Sequence, residues 1–147
     1  MRRLATFPAA QLLCAALAVL ALCISFSASA QDPRDSMVQS TARQWLALID
    51  RGDVEASWKQ AGKKFQNAIG MQRWIDGMKQ AREPLGKLVQ RAIVETRFDK
   101  NFQGAPEGDY AFVVFRTSFE HEAGHGETVT LEREPDGVWR VIGYAIT

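Results

Sequence analysis

The sequence predicts an α+β fold in which three N-terminal helices pack on a curled, four-stranded antiparallel meander. Up to Gly86, apolar side chains recur at spacings of three and four residues, which is typical of amphipathic helices. From Lys87 onward the period changes to two, which is typical of strands with one buried face. Short connections join the predicted strands, including the turn Pro135-Asp136-Gly137, and such connections favour antiparallel neighbours.

The first 30 residues have the pattern of a secretory signal peptide. Arg2 and Arg3 precede an apolar run from Ala9 to Ile24, and Ala28-Ser29-Ala30 supplies the small residues of a cleavage site. We expect cleavage after Ala30 and delivery to the periplasm or the exterior of a bacterial cell, with no stable membrane span after processing. The alternative interpretation is an N-terminal anchor that is not cleaved.

Cleavage would leave 117 of the 147 residues as one domain, 31–147, with no cysteine. Both cysteines, Cys14 and Cys23, lie in the predicted signal peptide, which excludes a disulfide, a thiolate nucleophile or a cysteine-ligated metal in the remainder. Removal of Arg2 and Arg3 changes the formal charge from +1 to −1. Without a basic block the domain is not expected to bind nucleic acid, and no cofactor is expected.

Three helical patterns occupy the N-terminal half of the predicted domain. The first pattern runs from Val38 to Ile49 and ends before Gly52. The second lies between Asp53 and Gly62 and contains Val54 and Trp58. The third runs from Phe65 to Ala81 and ends before Pro84. Gly70 and Gly77 weaken the third pattern, because glycine costs about 1 kcal/mol relative to alanine inside a helix.

Four strands are predicted from Lys87 to the C-terminus. After the first strand, their spans are Tyr110–Glu120, Glu127–Glu134 and Val138–Ile146. In the first strand we expect Ala92 and Val94 on the buried face with Phe98, and Arg91 on the solvent face with Glu95 and Arg97.

The second and fourth strands carry apolar residues on both faces. A cover over part of the outer sheet face is therefore expected. A homodimer contact is one candidate for this cover, and a loop or the N-terminal leader folding back is the other.

Several segments resemble a family of exported bacterial proteins known as domain of unknown function 4019. The segments are 42–52 (ARQWLALIDRG), 57–58 (SW), 82–86 (REPLG), 108–110 (GDY), 115–117 (FRT), 127–129 (ETV) and 136–144 (DGVWRVIGY). The resemblance implies a single domain with the cone-shaped fold of nuclear transport factor two and the ketosteroid isomerases. It implies no activity and transfers no catalytic residues.

The segment His121-Glu122-Ala123-Gly124-His125 matches the H-E-x-x-H pattern of zinc peptidases. That pattern binds zinc on a helix, whereas here strand patterns lead into and out of the segment, and Gly124 and Gly126 are turn residues. We therefore expect a hairpin loop and no zinc-peptidase centre. His121 and His125, with a nearby carboxylate, could still chelate Zn²⁺ loosely at the surface.

Five residues are candidates for lining a ligand pocket: Trp45, Trp58, Trp74, Arg116 and Tyr144. Aromatic residues on predicted inward faces are usually core, but the space between helices and a curled sheet can hold a ligand. The hydroxyl of Tyr144 lies on an apolar strand and needs a partner or an exit to solvent.

Arg116 interrupts the apolar pattern of the second strand. One interpretation is an ion pair with Glu132 or Glu134 on the next strand, and the other is an anion anchor at a pocket mouth.

These observations favour a non-enzymatic exported domain that binds a small apolar or amphipathic molecule, or a partner protein of the cell envelope. A small acid–base enzyme of the isomerase or hydrolase type, using a cone pocket, is the alternative. A zinc metallopeptidase is a remote third interpretation, since its only support is the H-E-x-x-H match.

Expression of the full chain in a bacterial host should yield a protein whose first residue is Gln31, because the preceding segment has the order of a cleaved signal. Intact-mass spectrometry of the envelope and culture fractions measures this directly. Replacing Ala28 and Ala30 by phenylalanine should block processing, and recovery of the unaltered chain with Met1 retained would contradict the prediction.

Overall fold

The computed structural model describes residues 32–147, so the predicted signal peptide and its cleavage site lie outside the described residues. The helices are α1 (Pro33–Asp50), α2 (Val54–Gln60), α3 (Lys63–Ala68) and α4 (Met71–Arg82), followed by a 3₁₀ turn, Glu83–Leu85. The strands are β1 (Leu88–Asp99), β2 (Tyr110–Phe119), β3 (His125–Arg133) and β4 (Trp139–Ile146). The predicted α+β class is confirmed. Of the helices in residues 32–147, none has the length and apolar character needed to cross a membrane.

The third helical pattern divides into α3 and α4, so there are four α-helices over residues 32–147 and not the predicted three. Ile69 and Gly70, which separate them, have extended backbone with ψ values of 126° and 149°. The carbonyl of Ile69 accepts a hydrogen bond from the indole Nε1–H of Trp58 at 2.8 Å. Because that carbonyl is used by a side chain, and because glycine is a poor helix former, the helix is interrupted here.

The four strands form one antiparallel sheet in the order β1-β2-β3-β4, which confirms the predicted meander. The hairpin between β3 and β4 closes at Gly137, whose φ of +81° is accessible to glycine at little cost. The amide of Glu134 donates to the carbonyl of Val138 at 3.0 Å across this turn. The predicted turn at Pro135-Asp136-Gly137 is therefore confirmed.

A β-bulge between Ile93 and Glu95 changes which side chains of β1 face the helices. Ile93 before the bulge and Phe98 after it both pack against the core. Thr96 also faces inward, because its Oγ1 accepts a hydrogen bond from the side-chain Nε2 of Gln39 on α1 at 2.9 Å. A bulge inserts one extra residue, so the inward positions switch from odd to even numbers along the strand.

The expectation for the first half of β1 was therefore wrong. A strict twofold period places Ala92 and Val94 inside, but Ala92 is exposed and Val94 is 59% exposed. Arg91, which was expected to face solvent, is turned inward with a side chain only 7% exposed. This inversion brings a buried cation into the interior.

The core lies between the helices and the inner face of the sheet, and its largest side chains are aromatic. Full burial of a large apolar side chain contributes roughly 1.5–3 kcal/mol. Members of the core include Val38, Trp45, Leu46, Phe65, Trp74, Val113, Phe115, Val129, Leu131 and Val141.

The loop between β1 and β2 covers part of the outer sheet face. The ring of Phe102 lies 5.6 Å from that of Tyr110 and 5.8 Å from that of Phe112. A loop was one of the two candidates for this cover, and here it supplies part of it. The homodimer contact stays a prediction, and Val89 and Val94 on β1 remain 66% and 59% exposed.

The backbone of Gly62, at the start of α3, contacts the backbone of β4 directly. Its amide donates to the carbonyl of Val141 at 2.8 Å. A Cβ at this position would lie 2.8 Å from Glu134 Oε1 and 3.2 Å from Ile142 Cγ2.

We expect Gly62→Ala to lower the free energy of unfolding by about 1–3 kcal/mol, because the added methyl group overpacks this contact. The matched control is Gly77→Ala, at an exposed position in α4 where an added Cβ meets nothing within 4 Å. The control should raise the free energy of unfolding by up to about 1 kcal/mol, since alanine is the better helix former. Denaturant unfolding of both variants measures the two effects, and effects of the same sign would contradict the prediction.

Candidate functional site

Four charged side chains from four different elements form an ionic network beneath the helices: Asp50, Arg82, Arg91 and Glu127. The guanidinium of Arg91 contacts both carboxylates in a two-atom arrangement. It donates to Asp50 at 2.6 and 3.0 Å and to Glu127 at 2.6 and 3.2 Å. Two-atom contacts of this kind are the strongest geometry for a guanidinium and a carboxylate.

Glu127 is the most deeply buried member of the network, with an exposed fraction of 0%. Besides Arg91, the hydroxyl of Thr117 donates to its Oε2, and the hydroxyl of Tyr144 donates to its Oε1 at 2.6 Å. A buried carboxylate is tolerated when it is paired and its oxygens are hydrogen-bonded, and both conditions hold here.

Arg82 is the fourth member, and it retains unused donors. Its Nη2 donates to Asp50 Oδ1 at 2.7 Å, and its Nη1 lies 3.6 Å from Glu127 Oε1. Its guanidinium carbon lies 4.5 Å above the ring of Phe119. Within the described residues, the buried Nε and Nη1 atoms of Arg82 have no hydrogen-bond partner. The network is neutral in formal charge, but Arg82 is its least satisfied group.

The network shifts the pKa values of Asp50, Arg91 and the adjacent Tyr144. Burial acts to raise the pKa of Asp50, but hydrogen bonds from Arg91 and Arg82 outweigh it and hold that pKa below its usual value. Burial acts to lower the pKa of Arg91, and its two carboxylate partners raise it overall. Burial and the adjacent Glu127 carboxylate raise the pKa of Tyr144 far above its usual value. Asp50 is therefore ionised and Tyr144 neutral at ordinary pH.

A cleft of about 430 Å³ opens to solvent above this network, between the end of α1, the start of α2 and the face of α4. We call it the α1–α4 cleft. Its floor includes Asp50 and Arg82, whose side chains are 15% and 11% exposed. Its apolar walls are formed by Ile49, Val54, Ile75 and Met78. This volume lies within the range of about 300–1,000 Å³ typical of ligand sites.

A second cleft, of about 580 Å³, lies between α3 and the β3–β4 hairpin. Lys63, Gln66, Val138, Trp139 and Arg140 contribute to its lining. The carboxylate of Glu134, which also lines it, is paired with Arg140 at 2.6 Å. Its lining combines charged rim residues with one buried indole, Trp139, and no buried charge network lies beneath it in the described part of the chain.

The structure brings three of the predicted pocket residues together, but as packed core. The ring of Trp45 lies 5.8 Å from that of Trp74 and 5.7 Å from that of Tyr144. Ser57 satisfies both indoles, because Trp45 Nε1 donates to its carbonyl at 2.8 Å and Trp74 Nε1 to its Oγ at 3.0 Å. With Phe65 these rings fill the space between the helices and the sheet, and none of the three lines either cleft.

Trp58 and Arg116 lie apart from that cluster. Trp58 is half-buried and packs on the core from α2. Arg116 is exposed on the outer sheet face, opposite Ala92 on β1 and Gly126 on β3.

The predicted ion pair of Arg116 with Glu132 or Glu134 is wrong, because Glu132 pairs with Lys64 and Glu134 with Arg140.

The first four residues of the H-E-x-x-H segment, 121–124, lie in the loop between β2 and β3, and His125 is the first residue of β3. The predicted hairpin connection is confirmed, and the segment does not form a helical face. His121 Nδ1 lies 3.0 Å from the carbonyl oxygen of Pro84, whereas His125 Nε2 lies 2.8 Å from Glu122. The two imidazoles are thus held by different partners. Across residues 32–147, no three histidine, cysteine or acidic side chains are grouped as metal ligands.

Sequence reasoning missed the ionic network, although one signal for it was present. Val129 and Leu131 were expected to face inward on the third strand, and the same twofold period places Glu127 inward as well. A carboxylate on a buried face requires a buried cation, and that requirement leads to Arg91.

Several solved structures share this architecture of helices packed on a curled four-stranded antiparallel sheet. A structure from Catenulispora acidiphila matches with a TM-score of 0.52 at 14% identity, covering 77% of this chain and 89% of that chain. A structure from the same organism in complex with S-DNPA matches with a TM-score of 0.51 at 15% identity, covering 79% and 93%. ActVI-ORFA from Streptomyces coelicolor matches with a TM-score of 0.50 at 12% identity, covering 77% and 95%. At these identities the likeness concerns the fold alone.

The chain belongs to the family described as "Protein of unknown function (DUF4019)", whose model matches residues 41–144. This confirms the resemblance found in the sequence. The matched range contains the whole ionic network and the hydroxyl of Tyr144 that is bound to it. No protein with a curated description shows significant sequence similarity to this chain.

We expect Arg91→Met to lower the free energy of unfolding by about 3–5 kcal/mol, because it leaves two carboxylates without their shared partner. The matched control on the same strand is Arg97→Met, where the side chain is 51% exposed and its ion pair is at the surface. The control should change the free energy of unfolding by at most about 1 kcal/mol. Chemical denaturation of both variants tests the difference. Equal losses would show that the buried contacts of Arg91 contribute no more than surface contacts.

Proposed function

We propose that this protein is an exported, non-enzymatic domain of the bacterial cell envelope that binds a small amphipathic molecule in the α1–α4 cleft. The observation that carries the proposal is the combination of apolar walls with a charged floor in one opening of about 430 Å³. Ligand sites typically pair an apolar lining with a few fixed polar groups. Here the fixed groups are Asp50 and Arg82, which the buried network holds in place.

The rigidity of the floor supports a binding role. Asp50 is tied to Arg91 and Arg82 by three hydrogen bonds of 2.6–3.0 Å, so its carboxylate has little freedom to reorient. A site whose polar groups are already ordered loses less conformational entropy when a ligand binds.

The acid–base enzyme was the alternative prediction, and the geometry favours it less. Such an enzyme needs a carboxylate or tyrosine hydroxyl that faces a cavity and exchanges protons near neutral pH. Glu127 is fully buried with both oxygens occupied, and the raised pKa of Tyr144 keeps its proton in place. Asp50 reaches the cleft, but its lowered pKa makes it a weak base.

The proposed envelope location rests on the signal-peptide pattern of the N-terminal 30 residues, and the absence of cysteine from 31–147 is compatible with it. A domain without thiols folds independently of the redox state of its compartment. Its stability must instead come from the core and from the ionic network. Binding in the envelope would concern an exported or imported small molecule, or a component of the envelope itself.

The experiment that tests the site uses N-phenyl-1-naphthylamine, a neutral apolar dye that fluoresces when it leaves water. We expect the unaltered domain to bind it, and Val54→Phe and Ile75→Phe to weaken binding by about tenfold, because the larger rings occupy the α1–α4 cleft. Fluorescence titration gives the dissociation constants, and circular dichroism verifies that each variant is folded.

The matched control is Val138→Phe, which enlarges a 46% exposed side chain in the second cleft. It should leave dye binding unchanged. Absence of dye binding by the unaltered domain, or loss of binding in Val138→Phe but not in the two cleft variants, would overturn the proposed site.

A further inference from the structure

The charged residues that line the α1–α4 cleft differ in how fully they form ion pairs within the protein. Three carboxylates line it, and each lies within 4.0 Å of at least one cation, although Asp50 shares Arg91 with Glu127. Asp50 pairs with Arg91 at 2.6 Å, Glu55 pairs with Lys59, and Glu83 lies 4.0 Å from Lys79. The acidic side of the lining is therefore satisfied by the protein itself.

Two cations of the lining, Arg82 and Lys87, are less fully paired than its carboxylates. Arg82 donates to Asp50 through Nη2, its buried Nε and Nη1 have no hydrogen-bond partner among the described residues, and Nη1 lies 3.6 Å from Glu127 Oε1. Lys87, five residues further along, is exposed on the same rim, and no carboxylate in residues 32–147 lies within 4.0 Å of its ammonium group. The nearest acidic contact of Lys87 is through its backbone amide, which donates to Glu120 Oε2 at 2.9 Å.

Gly86 lies between these two cations in the chain and also lines the cleft. Its φ of +77° turns the chain sharply after the 3₁₀ turn. A Cβ at this position would lie 3.0 Å from Glu120 and 3.2 Å from His121, so the backbone here approaches the β2–β3 loop closely. Arg82, Gly86 and Lys87 all line the cleft, so this turn carries the chain along its rim from one cation to the other.

We propose that the molecule bound in the α1–α4 cleft is an amphipathic anion. Its anionic head lies at the end formed by Arg82 and Lys87, and its apolar body lies between Val54 and Ile75. The inference rests on the proposed function, and it adds the chemical class of the ligand. A carboxylate, sulfonate or phosphate head would meet two cations there, and the lining carboxylates are already neutralised by their own partners.

The test compares two dyes that share a phenylnaphthylamine body. 8-Anilino-1-naphthalenesulfonate carries a sulfonate, and N-phenyl-1-naphthylamine carries no charge. We expect the anionic dye to bind more tightly, and Lys87→Gln to weaken it by roughly fivefold at low salt while leaving the neutral dye unchanged. Raising the ionic strength should weaken the anionic dye alone, because exposed charges are screened.

The matched control is Lys63→Gln, which removes an exposed lysine from the lining of the second cleft. It should leave both dissociation constants unchanged. A further comparison distinguishes the contribution of the anionic head from that of the alkyl chain. Dodecanoate should displace the anionic dye from the folded domain, and dodecanol, which has no charge, should do so less well. The last comparison uses vesicles of phosphatidylglycerol. Displacement of the anionic dye by the vesicles would indicate that the ligand is a lipid headgroup, and no displacement would indicate a free single-chain anion.

The outcomes distinguish this inference from the function on which it rests. Equal affinity for the two dyes, with both lost in Val54→Phe, would overturn the anionic class and leave the cleft as a binding site. A loss of the anionic dye in Lys63→Gln but not in Lys87→Gln would move anion binding to the second cleft and overturn the inference. If Val54→Phe and Ile75→Phe changed the dissociation constant of neither dye, the proposed function would be overturned as well.

Discussion

The contact of one guanidinium with two carboxylates organises this domain. Arg91 on β1 meets Asp50 at the end of α1 and Glu127 on β3, and its side chain is only 7% exposed. Removing charges from water is costly, and the cost is offset only when every partner is present in good geometry. Because three separate elements each contribute one group, the network stabilises one arrangement of the helical layer on the sheet. Arg82 extends it to the end of α4.

The ionic network and a cluster of aromatic rings together occupy the space between the helices and the sheet. The rings of Trp45, Phe65, Trp74 and Tyr144 fill the space under the helices, and the hydroxyl of Tyr144 reaches the ionic network at Glu127. The α1–α4 cleft therefore lies at the surface, above Asp50, and not inside the cone. A cone-shaped fold thus does not by itself specify an internal binding pocket, since here aromatic side chains occupy that volume.

The change of hydrophobic period at Lys87 correctly predicted a helical half and an antiparallel half, and the H-E-x-x-H loop followed from it. The site could not be predicted in the same way. Asp50 is the last residue of α1, beside the turn at Gly52, and Arg82 is a cation in the last turn of α4, so the local position of each residue gives no sign of a buried network. Arg91 lies 41 residues from Asp50 and 36 from Glu127, so no spacing in the chain indicates the contact. The bulge after Ile93 then inverted the expected faces of β1.

That bulge has a consequence for how the molecule behaves in a crowded compartment. β1 is an edge strand, and a regular edge offers an uninterrupted row of backbone donors and acceptors to any extended peptide. Irregularities at Leu88–Gln90 and Ile93–Glu95 break that row twice, and the exposed charges of Glu95 and Arg97 flank it. The same backbone distortion that turns Arg91 inward therefore discourages a neighbouring chain from adding a strand at this edge of the sheet.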